Sequence, residues 1–288
     1  MATALPAGAT LGALGGGGML RRVASTLVLL PVFLLVLIQA PAYVFDALVV
    51  AASALALWEL TRMLQTGGRP VYRTLAVVAG AAVTASFAAT GSTADPFVLP
   101  SFALAVAVAA VLAAPLARHV VPATEPAANT LLAILYIGWL LGYGIVLQHR
   151  LPHGDQLVLF VVGVTWIGET MAYVVGSTLG RHKLAPVISP RKTVEGAIAQ
   201  VVASVVTGVV LGVWLLPGCG TTTALVGGAL LGVTGQVGDL TESVIKRSVG
   251  TKDTGGIIPG HGGVLDRIDS LLFNLPAFYY FSRLVACS

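Results

Sequence analysis

The chain has 288 residues, of which 56% are hydrophobic and 10% charged, with a net charge of +4. A mean hydropathy of +0.91 excludes a water-soluble domain, whose apolar share is roughly 45–50%. The surplus of positive charge falls in short loops between apolar runs, which describes membrane topology and gives no sign of nucleic acid.

Residues 1–20 are rich in Ala and Gly, carry a Gly15–Gly18 run and lack periodicity, so they read as a disordered leader. Arg21-Arg22 before an apolar run imitates a signal peptide, but Pro41 argues against cleavage near Ala40, and the first span reads as retained. A span needs about 20 mostly apolar residues. Candidates fall near 23–40, 43–61, 74–91, 97–117, 128–148, 157–180, 194–216, 222–245 and 269–286. The fold class is therefore all-α, a polytopic integral membrane helical bundle of about nine transmembrane helices. Residues 21–150 form the N-terminal helices, and 151–288 a C-terminal catalytic region with cytoplasmic loops.

With the N-terminus cytoplasmic, fourteen of the sixteen Lys and Arg lie on the inner side, leaving Arg150 and Arg283 outside. The chain thus reads as a multi-pass protein of the inner (cytoplasmic) membrane with its polar C-terminal stretch facing the cytoplasm. Cys219 and Cys287 fall near the predicted outer face, where a disulfide can form, although two thiols that merely pack or sit in lipid are the preferred reading.

The N-terminal half holds little chemistry. In Trp58-Glu59-Leu-Thr-Arg62 the i, i+3 spacing lets Glu59 pair with Arg62 while Trp58 anchors at the interface. From 157 onward polar and small residues enter the spans. Glu169 lies in mid-span, where an ionisable group marks a site or a buried partner. Tyr173, Gly176 and Gly180 share its helical stripe. In the following loop Ser189-Pro190 predicts a helix start, with Ser189 as N-cap and Arg191, Lys192 and Thr193 in the first turn. Two cations at a helix N-terminus make sense where an anion binds.

Asp239, Glu242, Ser243 and Lys246 fall on one face at the end of a helix whose glycines, Gly227, Gly228, Gly232, Gly235 and Gly238, suit tight packing. A glycine-rich loop and Asp266 and Asp269 follow. Residues 239–269 hold five of the twelve carboxylates and four of the sixteen Lys and Arg. Carboxylates beside cations on a glycine loop describe a phosphate site with an oxygen-liganded divalent metal. No Cys/His cluster suits zinc, and no Walker loop or hydrolase elbow is present. What remains is metal-assisted displacement at phosphorus.

The run Ser243-x-x-Lys246-Arg247-x-x-x-x-Lys252-Asp253-x-Gly255-x-x-Ile258-Pro259-x-His261-Gly262-Gly263-x-Leu265-Asp266-Arg267-x-Asp269 resembles the signature of the phosphatidate cytidylyltransferases, also called CDP-diacylglycerol synthases. Ser189-Pro190-x-Lys192-Thr193-x-Glu195-Gly196 and Ala172-Tyr173-x-x-Gly176 resemble two upstream blocks of that family in the same order. The resemblance covers the C-terminal 120 residues. It implies transfer of the cytidylyl group of CTP to phosphatidate, with Mg²⁺, a second cation such as K⁺, and a homodimer. It further implies catalytic roles for Asp239, Lys246, Arg247, Lys252, Asp253, His261, Asp266, Arg267 and Asp269, with Asp239 and Asp266 as metal ligands. Substrate would be held by Tyr173, Ser189, Arg191, Lys192, Thr193, Glu195, Ser243, Gly262 and Gly263. Two positions depart from the pattern. Arg191 replaces the usual Lys and keeps its charge; Glu169 replaces Asp and reaches about one methylene further, which leaves it outside the ligand pair. A CTP-dependent polyprenol kinase fits the full signature less well, and an ion-coupled transporter would need related halves, which the sequence lacks.

Overall fold

The computed structural model describes residues 31–89, 95–118, 123–150, 153–216, 218–252, 254–255 and 262–285. A helical stretch over 31–39 (α1) breaks before Pro41, which precedes α2 (Ala42–Thr66). Then come α3 (Arg73–Ser86), α4 (Val98–Arg118), α5 (Thr124–Ala133), a π-helical segment (Ile134–Trp139), α6 (Leu140–Arg150) and α7 (Gly154–Thr178). A hairpin of β1 (Lys183–Ala185) and β2 (Ser189–Thr193) leads into α8 (Val194–Leu215), α9 (Thr221–Ser248) and α10 (Leu265–Leu284).

Among the described residues five helical runs are long and apolar enough to cross a membrane: Ala42–Thr66, Val98–Leu116, Thr124–His149, Gly154–Thr178 and Val194–Leu215. Of the other expected spans, α3 has only 14 residues, α9 and α10 carry the polar residues of the site, and part of 23–40 lies outside the described residues, so the count of nine stays an expectation. Cys219 is disulfide-bonded, which corrects the reading of two packing thiols.

Two local expectations also change. The helix does not start at Ser189-Pro190: that segment pairs antiparallel with β1, Ala185 facing Ser189 and Lys183 facing Thr193. A two-stranded ribbon is all edge, so Pro190 is tolerated there. Thr193 takes the N-cap role, its hydroxyl accepting the Gly196 N–H at 3.2 Å. Among the described residues the fold is thus helical with one small sheet. Glu59 does not pair with Arg62 either. Arg62 and Arg73 lie over the Trp58 ring, 5.1 and 4.9 Å from its centroid, an arrangement that suits guanidinium groups.

Helices α7, α8, α9 and α10 pack in sequence, and α10 reaches back to α6 and α2. Small residues set the spacing, as the glycine stripes predict. A Cβ on Gly196 would lie 2.8 Å from the Ala172 carbonyl and 3.1 Å from Gly176 Cα; one on Gly208 would lie 2.9 Å from Gly228 Cα. At Gly238 it would lie 2.7 Å from the Asp269 carbonyl. Such close approach replaces the hydrophobic drive that helices lack inside lipid.

A buried polar chain ties three of these helices. Asn274 on α10 donates to Thr165 on α7 at 2.7 Å and accepts from Thr234 on α9. Asn274→Ala should remove both interhelical bonds, leaving each hydroxyl only its own helix carbonyl, and lower unfolding stability in detergent by about 1–2 kcal/mol. Thermal unfolding of the purified variant beside the parent checks this.

Candidate active site

The C-terminal half of α9 presents Asp239, Glu242, Ser243 and Lys246 along one face, as their spacing dictates. Glu242 is 1% exposed and pairs with Lys246. The Lys246 ammonium also reaches Asp266 Oδ1 at 2.9 Å, while Asp266 Oδ2 accepts the Gly263 N–H at 2.9 Å and the Thr254 N–H at 3.4 Å. Gly262, with φ +83°, takes the left-handed turn before this segment, a conformation glycine adopts without steric cost. From the hairpin, Lys192 reaches Asp239 at 2.7 Å.

Oxygens of Asp239, Glu242 and Asp269 all lie within 4.8 Å of one another. The Glu242 Oε1 atom is buried with no hydrogen-bond partner. Like charges held this close need a counter-charge, and Lys246 and Lys192 are already shared with Glu242, Asp266 and Asp239. Oxygen donors of net negative charge fit a hard divalent cation such as Mg²⁺. Asp266, expected beside Asp239 as a ligand, is held here by Lys246 and backbone amides, and Asp269 is the carboxylate that groups with Asp239 and Glu242.

Two cavities share a wall at Glu169, Tyr173 and Asp239. One, of about 760 Å³, contains the carboxylate cluster with Lys246, Arg247, Lys252 and Arg267. The other, of about 610 Å³, runs between α7, α8 and the hairpin; Lys183, Arg191 and Lys192 stand at it, over a floor of Gly176, Gly180 and Gly196. Cations thus surround a polar chamber on one side and the rim of a glycine-lined groove on the other.

The remaining expected residues distribute as follows. Ser189, Ser243 and Gly262 line the larger cavity, and Thr193 the smaller. Tyr173, 76% exposed, lines both. Arg247 lines its cavity while donating to the Ile188 and Thr251 carbonyls at 3.1 and 3.0 Å, so it also fastens the hairpin turn to the end of α9. Glu195 lines neither cavity; its carboxylate accepts the Arg181 N–H at 3.1 Å and contacts His182 Nδ1 at 2.6 Å, holding the approach to the hairpin. Gly263 packs against Thr254 and Glu59. Asp253 and His261 lie outside the described residues.

Two contributors come from the N-terminal half, against the expectation that it holds little chemistry. Glu59, fully buried on α2, accepts the Leu265 N–H at 2.9 Å. Tyr136, in the π-helical segment, is buried with an unpartnered hydroxyl and lies in the field of Glu242, Asp269 and Asp239. A carboxylate inside an apolar helix was a usable signal for Glu59. A π-helical turn, often found at functional sites, leaves no comparable mark in sequence.

The family model described as "Cytidylyltransferase family" matches residues 20–285. A protein of Staphylococcus saprophyticus named phosphatidate cytidylyltransferase is 41% identical over 150 residues, 52% of this chain and 56% of the relative. The Staphylococcus haemolyticus protein of that name is 40% identical over 158 residues, with the same coverage. "Uncharacterized protein YnbB" of Escherichia coli (strain K12) is 40% identical over 154 residues, 54% of this chain and 50% of the relative. The chain spans about half the length of the curated relatives it matches.

If the three clustered carboxylates seat a divalent cation, Glu242→Gln and Asp269→Asn should each weaken Mn²⁺ binding by about tenfold or more. Titration calorimetry on the purified protein measures it, and unchanged affinity in both variants would remove the cluster as a cation seat.

Proposed function

The chain belongs to the cytidylyltransferase family, and we propose that it transfers the cytidylyl group of CTP to phosphatidate, yielding CDP-diacylglycerol and pyrophosphate for phospholipid synthesis. Relatives named phosphatidate cytidylyltransferase support the substrate pair. The observation that carries the reading is the meeting of two cation-lined cavities at Asp239.

On this reading the larger cavity takes the CTP polyphosphate against Lys246, Arg247, Lys252 and Arg267. The glycine-lined groove takes phosphatidate, its headgroup at Arg191 and Lys192 and its tails toward the lipid-facing sides of α7 and α8. A phosphatidate oxygen attacks the α-phosphorus of CTP; the new P–O bond forms as the bond to pyrophosphate breaks. The attacking phosphate is already ionised, so no general base is required. Guanidinium and ammonium groups hold both anions in line and offset their mutual repulsion. Mg²⁺, when bound at the carboxylate cluster, would neutralise charge on the triphosphate and the leaving group. A second cation such as K⁺, a homodimer, and an active site on the cytoplasmic side, where CTP is found, belong to the same proposal.

Purified protein in mixed micelles with labelled CTP and phosphatidate should form CDP-diacylglycerol only when Mg²⁺ is present. Asp266→Asn should abolish that turnover while the protein stays folded and inserted. Phosphorylation of dolichol with phosphatidate inert would instead establish a lipid kinase. Lys192→Met should raise KM for phosphatidate more than for CTP, a split that initial-rate kinetics with each substrate varied will resolve.

A further inference from the structure

Helix α10 opens the segment that carries Asp266, Arg267 and Asp269, and its N-terminus has no capping side chain of its own: Val264 occupies the cap position with no side-chain hydrogen bond. First-turn N–H groups of a helix need acceptors, above all when buried. The acceptor comes from 206 positions earlier. Glu59 Oε2 takes the Leu265 N–H at 2.9 Å, in a site where Glu59 and Leu265 are both fully buried. The Val264 N–H also faces this carboxylate.

The surrounding loop is shaped to the same group. A Cβ on Gly263 would lie 2.6 Å from Glu59 Oε2, and one on Gly255 would lie 2.8 Å from Glu59 Oε1. Gly263 in turn donates its N–H to Asp266 Oδ2 at 2.9 Å. One continuous run of contacts therefore joins Glu59, the loop backbone and the Asp266 side chain. The carboxyl group also lies at the N-terminal end of α10, where the helix dipole favours an acceptor oxygen.

We propose that Glu59 is a positioning residue for the transfer reaction: it caps α10 from the other half of the chain and fixes the backbone that aims Asp266 and, one turn on, Asp269. It touches neither substrate. The inference rests on the reaction proposed above for its kinetic readout, and on the hydrogen bond alone for its structural one.

Glu59→Leu removes the acceptor and Glu59→Gln keeps an oxygen for the Leu265 N–H. Hydrogen exchange followed by mass spectrometry on peptides covering 262–270 should speed up about tenfold or more in Glu59→Leu, the protection that a buried hydrogen bond supplies, and stay near the parent in Glu59→Gln. Turnover per folded protein should fall by about tenfold or more in Glu59→Leu, since small misplacements of reacting groups cost that much, with KM for CTP little changed; Glu59→Gln should restore most of it. A role confined to stability would lower the unfolding temperature and leave turnover per folded molecule intact, and that result overturns the proposal. So does lost turnover with parental exchange across 262–270. If Glu59→Leu does not fold, Gly263→Ala breaks the same contact from the loop side, and parental exchange there is equally decisive. Should the parent show no cytidylyl transfer, the reaction falls while the exchange comparison still judges the cap.

Discussion

Close backbone contact between helices is the constraint on which the site depends. Gly196 against Ala172 and Gly176, Gly208 against Gly228, and Gly238 against Asp269 remove the side chains that would otherwise hold α7, α8, α9 and α10 apart. Bringing α7 and α8 together sets the groove floor. Seating α10 on Gly238 brings Asp269 beside Asp239 and Glu242. Any Cβ in these seams widens a helix pair and displaces oxygens that now lie within 4.8 Å of one another.

The same packing explains how so many charges are tolerated at the edge of an apolar bundle. A buried carboxylate without a partner is far more costly than one that is paired and hydrogen-bonded. Here Lys246 serves Glu242 and Asp266, Lys192 serves Asp239, and backbone amides serve Asp266, Asp269 and Glu59. Partners come from β2, α9, α10 and the loop before α10, and they serve carboxylates as far apart in sequence as Glu59 and Asp269.

That spread marks what sequence could and could not reveal. The carboxylate stripe on α9 and the Asp266/Asp269 pair were legible because helical spacing is local, and the glycine stripes were legible because small residues stand out among Val and Leu. The hairpin was not: Ser189-Pro190 is a sound local helix start, and only pairing with Lys183–Ala185 moves the start to Thr193. Glu59 looked like one half of an i, i+3 pair because its true partner is a backbone N–H, which no side-chain pattern announces. Tyr136 depends on a π-helical register that residue types alone do not specify. The grouping of Asp269 with Asp239 and Glu242, and the contact of Lys246 with Asp266, are set by how α9 meets α10, which spacing along one helix does not specify.

The bond between Glu59 and Leu265 also sets a clock on biosynthesis. The two residues are separated by 206 positions, and at roughly 5–20 residues per second the ribosome needs about 10–40 s to make the intervening chain. Throughout that interval α2 exists without the amide its carboxylate will receive. The enclosure of the Glu59 carboxyl group is therefore completed only when α10, the last helix, arrives.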